Sequence, residues 1–219
     1  MISNLVEAWD KTTDEDHEFG NRAYLTYHNA MRAFANHYGL GFVPVTEAFV
    51  ALSPNNAYHQ NLRSLASVCA AVARKQDSLP TLSTYKACGI RAMSYLRGEV
   101  SFLDTVRGPK IRAFRENILY PSTSQSVTID GHMICLWTGR DLTMKEAAPL
   151  LRPSSYLRLQ GAFQKLARRH RRLPHEVQAV LWHYRKRTRS ILLSSQTELF
   201  SGLSRWEEIP DPINYPPYP

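Results

Sequence analysis

The strongest constraint on this chain is the spacing of its apolar residues. They recur every three or four positions in block after block, and no run alternates apolar and polar residues long enough to build a sheet. Such a sequence can bury its apolar surface only by packing helix on helix, so the expected fold class is all-α. From Arg22 to Tyr38 the stripe is Leu25, His28, Met31, Ala35 and Tyr38, and Gly39 offers a left-handed stop. Thr46 reads as the N-cap of a short helix to Leu52, closed by the turn cluster Ser53-Pro54-Asn55-Asn56. A helix over Ala57 to Lys75 carries Tyr58, Leu62, Leu65, Cys69 and Val72 inward. After Pro80, Leu82, Tyr85, Gly89, Ala92 and Leu96 line another, ended by Gly98.

Ser101 to Val106 reads as a short helix, followed by a turn at Arg107-Gly108-Pro109 and a helix from Lys110 to Leu119. A polar loop, Pro121 to Ser126, leads into the extended Val127-Thr128-Ile129-Asp130 and a helix over Gly131 to Thr138. Two long helices complete the pattern, Ser154 to Arg171 and Pro174 to about Leu193, with Pro174 suited to a first turn. The last eleven residues, IPDPINYPPYP, contain five prolines and read as an extended tail. With 219 residues, the chain is long enough for a sizeable core in a single domain. No apolar run reaches the roughly 20 residues of a membrane span, and the opening lacks the basic and apolar regions of a signal peptide, so the expected setting is cytoplasmic without a membrane partner. Cys69, Cys88 and Cys135 are too few and too separated for a disulfide framework or a metal cluster and read as reduced thiols.

Charge is unevenly distributed. The formal net charge is +8, yet residues 1–60 hold 3 basic and 7 acidic side chains and the other 159 residues hold 24 and 12. Between Arg158 and Arg189 there are ten Lys or Arg and one acidic residue. Such a run is most often a solvated face. Here two clusters on successive helices, with Trp182, His183 and Tyr184 interleaved, suit a polyanion backbone, and DNA is the expected partner of a monomeric protein. Arg168, Arg169, Arg171, Arg172, Arg185 and Lys186 are the candidate contacts.

The segment Phe102 to Trp137 describes a short helix, a glycine turn, a second helix, a loop, and an aspartate opening a third helix. This layout resembles the helix-hairpin-helix DNA glycosylases of the endonuclease III type, in which the hairpin is followed by an aspartate in a Val-Asp-x-His context, here Ile129-Asp130-Gly131-His132. Leu52-Ser53-Pro54-Asn55-Asn56 falls where that family has Leu-Ser-x-Gln, and Lys86-Ala87 matches the Lys-Ala that opens the helix before the hairpin. The chain is also similar to a phage and actinobacterial group with a Ser-Pro-Asn segment near the front and Gln-Ala-x-x-Trp near the end, here Gln178 to Trp182. The resemblance implies a divergent glycosylase-like bundle over residues 22–208 with a C-terminal two-helix extension. An acidic segment, 1–21, precedes it, and the Pro-rich tail, 209–219, follows.

Helix N-termini accept phosphate oxygens, so Arg107, Gly108, Lys110 and Arg112 make a candidate backbone clamp; the alternative is an ordinary helical corner with solvated charges. Here Gly108-Pro109-Lys110 departs from the two-glycine hairpin of the family. Asp130 has two compatible readings. As an N-cap it stabilises its helix by about 0.5–2 kcal/mol. By the resemblance it is the catalytic carboxylate that stabilises an oxocarbenium-like state and orients water. Aligned on Gly108, Arg112 occupies the place of the lysine that lyase-active relatives use, and a guanidinium cannot form a Schiff base, so a monofunctional reaction without cofactor is implied. A target base must leave the stack. Asn55 matches the family's wedge glutamine, with Asn56, Tyr58 and Gln60 beside it, and Tyr27, His28 and His132 are the candidate pocket. The implied function is hydrolysis of the N-glycosidic bond of a modified or damaged base. Two alternatives stay open: a phage-type group transferase on DNA bases, as in thymine hypermodification, and a non-catalytic DNA-binding module.

Overall fold

The structure, a computed structural model, describes residues 2–54 and 56–197, without the side chains of residues 144 and 190–197. Asn55 and the Pro-rich tail lie outside the described residues. The regular elements of the described residues are all helices: α1 (Ile2–Trp9), α2 (Asp14–Tyr38), α3 (Phe42–Leu52), α4 (Tyr58–Ala73), α5 (Lys86–Arg97), α6 (Phe102–Thr105), α7 (Pro109–Leu119), α8 (Gly131–Thr138), α9 (Met144–Ala147), a 3-10 turn (Ala148–Leu151), α10 (Pro153–Arg169) and α11 (Pro174–Thr197). The all-α expectation is met. No helix among the described residues is long and apolar enough to cross a membrane.

The chain divides into two compact units, one built from residues 2–25 and 120–197 and the other from residues 26–119. The sequence reading, a single helical domain starting at residue 22 behind a separate acidic segment, differs from this. Residue 22 lies inside α2, which runs unbroken from Asp14. The acidic residues Asp14, Glu15 and Asp16 form its first turn, where they complement the positive end of the helix dipole. The segment also holds α1, unforeseen because no capping residue or glycine stop brackets it in the sequence.

In the first unit α1 contributes Leu5, Ala8 and Trp9 to a core completed by Val127, Ile129, Met133, Ile134 and Trp137, by Tyr156, Leu159, Phe163 and Leu166 of α10, and by Val177, Val180 and Leu181 of α11. Gly20 lets α2 approach α11 closely, since a Cβ there would sit 2.7 Å from the backbone nitrogen of Val180. The same helix pair is tied by a buried carboxylate. Asp16, with no solvent exposure, accepts from the Thr13 backbone at 2.9 Å and hydroxyl at 3.0 Å, from His183 Nδ1 at 2.7 Å, and from Arg187 at 2.7 and 3.2 Å. Burial raises the Asp16 pKa, but the hydrogen bonds from Arg187, Thr13 and His183 outweigh it and bring the group from 3.8 to about 2.

In the second unit α3 is the central element, packed by α4, α5 and α7 and buried at Val45, Thr46, Ala48, Phe49, Val50, Ala51 and Leu52. Thr46 is therefore not an N-cap. The helix begins a turn earlier, and its hydroxyl donates back to Phe42 O at 3.0 Å. Gly39 and Gly98 are left-handed, at φ 63° and 69°, as their place after α2 and α5 requires. Gly108 behaves differently: its φ is not positive, and a Cβ there would meet nothing within 4 Å. The α6–α7 turn does not depend on glycine.

The Asp16 network sets an acid limit on stability. A carboxylate whose folded pKa lies below its unfolded value stabilises the fold fully above about pH 4 and loses that contribution as the pH falls toward 2, here about 2 kcal/mol. Asp16→Asn is expected to cost about 3 kcal/mol at pH 6 and to show a smaller further loss at pH 2.5 than wild type, measured by urea denaturation. An equal acid loss in both proteins would contradict this account.

Candidate functional site

Asp130 sits at the end of an extended segment whose backbone is held by one phenol. Tyr156, on α10 and 2% exposed, receives Ile129 N–H at 3.2 Å and donates to Val127 O at 2.5 Å. Val127 and Ile129 are fully buried on either side of Thr128, so an apolar core and a single hydroxyl deliver the next residue to the start of α8. Burial pushes the Tyr156 pKa up to about 12, and the group stays a neutral donor.

The Asp130 carboxylate is gripped by two donors from different elements. Oδ1 accepts from Met133 N at 3.1 Å, capping α8. Oδ2 accepts from the indole of Trp182, on α11, at 3.1 Å. Asp130 remains half-buried, so its other lone pairs are not closed off by the core. The Trp182 ring is placed by stacking on Phe19 of α2 at 6.0 Å and lies under the Lys186 ammonium at 5.3 Å. His132 meets it edge-on at 6.3 Å. Burial lowers the His132 pKa and Asp130 opposes this, while Lys186, Arg189 and Arg185 add to the lowering. The result is a fixed carboxylate, an imidazole favoured in its neutral form, and an indole, beside a row of cations on α11.

The candidate residues of the sequence fall into two sets. Asp130, His132 and Lys186 come together in the first unit. Tyr27 and His28 belong to the second unit, as do Asn56, Gln60 and the α6–α7 turn. Within that unit Tyr27 joins an aromatic cluster with Tyr58 at 5.1 Å, Phe114 at 5.9 Å and Phe49 at 6.1 Å. His28 is fully engaged, with Nδ1 2.9 Å from Ile118 O and Nε2 accepting from Arg32 at 2.8 Å. Both of its ring nitrogens thus have partners within that unit. Asn56 closes the end of α3, donating to Leu52 O at 3.2 Å and accepting from Ser83 at 2.9 Å, so its amide is not a free wedge. Gln60 is exposed.

Several candidate cations also have internal partners. Arg112 donates to Val106 O and Leu103 O, both at 2.6 Å, and so caps the carbonyl end of α6. Arg172 bonds Asn21 and lies 6.0 Å from the Trp9 ring centroid. Arg185 pairs with Asp141. Arg107, Arg168, Arg169 and Arg171 are exposed and Lys110 is partly so. Sequence reading missed Trp182 as the partner of Asp130, because 52 residues separate them; it placed the residue only among the aromatics interleaved with the basic clusters. It also missed Asp16, although Thr13-x-x-Asp16 has capping-box spacing.

Among the described residues no three His, Cys, Asp or Glu side chains gather as a metal ion requires. A cavity of about 310 Å³ in the first unit touches Gly20, Tyr24, Pro121, Leu173 and His175. Asp130 does not line it. Tyr24 there donates to Gln178 at 2.7 Å, and His175 lies 3.2 Å from Ser124 O.

The Trp182 contact is open to direct test. Trp182→Phe keeps the ring against Phe19 and deletes the donor. It is expected to cost about 1 kcal/mol in urea denaturation, because water reaches half-buried Asp130 and replaces part of the lost bond. Trp182→Ala should cost clearly more, and equal losses would show that the indole N–H contributes nothing.

No curated protein and no solved structure matches the chain. The family signal is nonetheless extensive: residues 1–189 match the model of a family described as a family of unknown function (DUF7178), and the chain belongs to that family.

Proposed function

We propose that the protein binds DNA and hydrolyses the N-glycosidic bond of a modified or damaged base, with Asp130 as the catalytic carboxylate. The observation that carries this reading is the double grip on Asp130 by Met133 N and Trp182 Nε1 at 3.1 Å each. A side chain needed only as a helix cap uses one oxygen on one backbone N–H. Here the second oxygen is also oriented, by an indole brought from another helix, in a half-buried place where the same indole lies under the Lys186 ammonium. Such pre-orientation matters when charge develops in a transition state, because the group need not reorganise as the reaction proceeds.

In this reaction the C1′–N bond breaks and its electron pair leaves with the base, so positive charge builds on the sugar. Asp130 faces that charge and orients the water that adds to C1′; the proton released from the water ends on the departing base. The exposed cations of α10 and α11 hold the phosphates. The order of elements also supports the reading, since α6, the turn, α7, the loop and the aspartate-capped α8 occur in the sequence order that the glycosylase resemblance implies. Arg112 at the lysine position of lyase-active relatives favours base release without strand cleavage.

Incubation of the full chain with duplexes carrying a panel of alkylated, oxidised and deaminated bases, scored for free base and abasic sites, tests the proposal. Wild type is expected to release at least one base. Asp130→Asn, which preserves an oxygen for the α8 cap, is expected to lose about 100-fold or more in rate while keeping DNA affinity within a factor of two. Release that persists unchanged in Asp130→Asn removes this residue from the chemistry, and DNA binding with no release across the panel overturns the hydrolase reading.

A further inference from the structure

Five left-handed residues close helices among the described residues. Three are glycines, Gly39, Gly98 and Gly139, at φ 63°, 69° and 68°; the other two are cations, Lys75 at 56° and Arg171 at 53°. In this conformation the Cβ of an L-residue crowds its own carbonyl, which is why glycine is favoured there. The α10 end is otherwise a standard closure, with Arg171 N–H on Arg168 O at 3.3 Å and Arg172 N–H on Ala167 O at 3.0 Å. Backbone bonds make the turn, and the Arg171 side chain takes no part in it.

Arg168 and Arg169 lie in the last turn of α10, where the helix dipole favours cations. The dipole's pull falls off within that turn, and Arg171 lies beyond the helix end. Arg172 and His170 are anchored on Trp9, the imidazole with its ring centroid 4.7 Å away. Arg168, Arg169 and Arg171 are exposed and form no hydrogen bond or ion pair with any described residue. The corner thus holds three guanidinium groups without a partner among the described residues, on a turn fixed from within, one of them at a position that works against the backbone. Planar guanidinium forks match phosphate oxygens. None of the exposed large apolar side chains belongs to residues 165–176, so the corner lacks the apolar residues by which a surface enters a bilayer.

We infer that the Arg168–Arg172 corner is a docking surface for the phosphate backbone of duplex DNA, and that Arg171 occupies a glycine position for the sake of its charge. The polyanion is identified through the DNA reading above, on which the inference rests. Stability and affinity should then move in opposite directions at one residue.

The test uses the full chain, a fluorescein-labelled duplex of ordinary bases, and anisotropy between 50 and 200 mM salt. Arg171→Gly is expected to raise Tm by about 2–4 °C. It is also expected to weaken binding several-fold on every sequence and to reduce the salt slope by about 0.9. Arg171→Lys should retain the slope. A higher Tm with unchanged affinity and slope, or a Tm that falls, overturns the inference. So does tighter binding to phosphatidylserine–phosphatidylcholine vesicles than to duplex. Failure of the hydrolase reading is distinguishable: if no base is released but Arg171→Gly still weakens DNA binding, the docking surface stands. If wild type binds no duplex, both readings fall.

Discussion

Much of the first unit depends on a carboxylate that water does not reach. Asp16 closes the N-terminal end of α2 through Thr13 and clasps α11 through His183 and Arg187. A charge buried this deeply is tolerable only when every strong acceptor site has a donor, and here five donors converge on two oxygens. The geometry therefore has little freedom. With α2 and α11 joined in this register, Phe19 stacks on both His183 and Trp182, at 4.6 and 6.0 Å, and Trp182 is left aimed at Asp130. The buried ion pair and the candidate site share one helix face and one aromatic intermediary.

Asp130 is reached from a second direction by apolar packing. Val127 and Ile129 are pinned in the core while Tyr156 satisfies their backbone, and the chain emerges with Asp130 at the α8 cap. Two independent constraints thus meet at one carboxylate. Their meeting separates Asp130 from an ordinary N-cap and gives the hydrolase proposal its physical content. The cations around it have different roles. Arg112, Arg172 and Arg185 hold the protein's own atoms, whereas Arg168, Arg169 and Arg171 bond to no described residue. A count of positive charge does not distinguish the two kinds.

Helices were legible wherever a stripe ran for three or more turns. α4, α5, α7 and α11 begin within six residues of their expected starts, and the α8 bounds agree with expectation, because an aspartate and a glycine bracket eight apolar-rich residues. Errors fell where local signals compete with burial. Thr46 has the chemistry of a cap, but the apolar density of α3 carries the helix back to Phe42 and puts Thr46 in the core. Gly108 looks like an obligatory turn residue, yet the turn is made by ordinary dihedral angles and secured by Arg112.

The sequence by itself determined that the protein is helical, where most helices lie, and that Asp130 caps one of them, because 3.6-residue periodicity and capping are local properties of the chain. Only the tertiary structure decided which side chains meet. It divided the chain into two units through α2, brought Trp182 to Asp130 and His183 to Asp16, and showed that His28 and Asn56 serve internal hydrogen bonds. It also exposed the left-handed backbone of Arg171. Partner choice over 50 to 170 residues is set by how whole helices pack, a collective outcome of many weak contacts that no short stretch of sequence encodes.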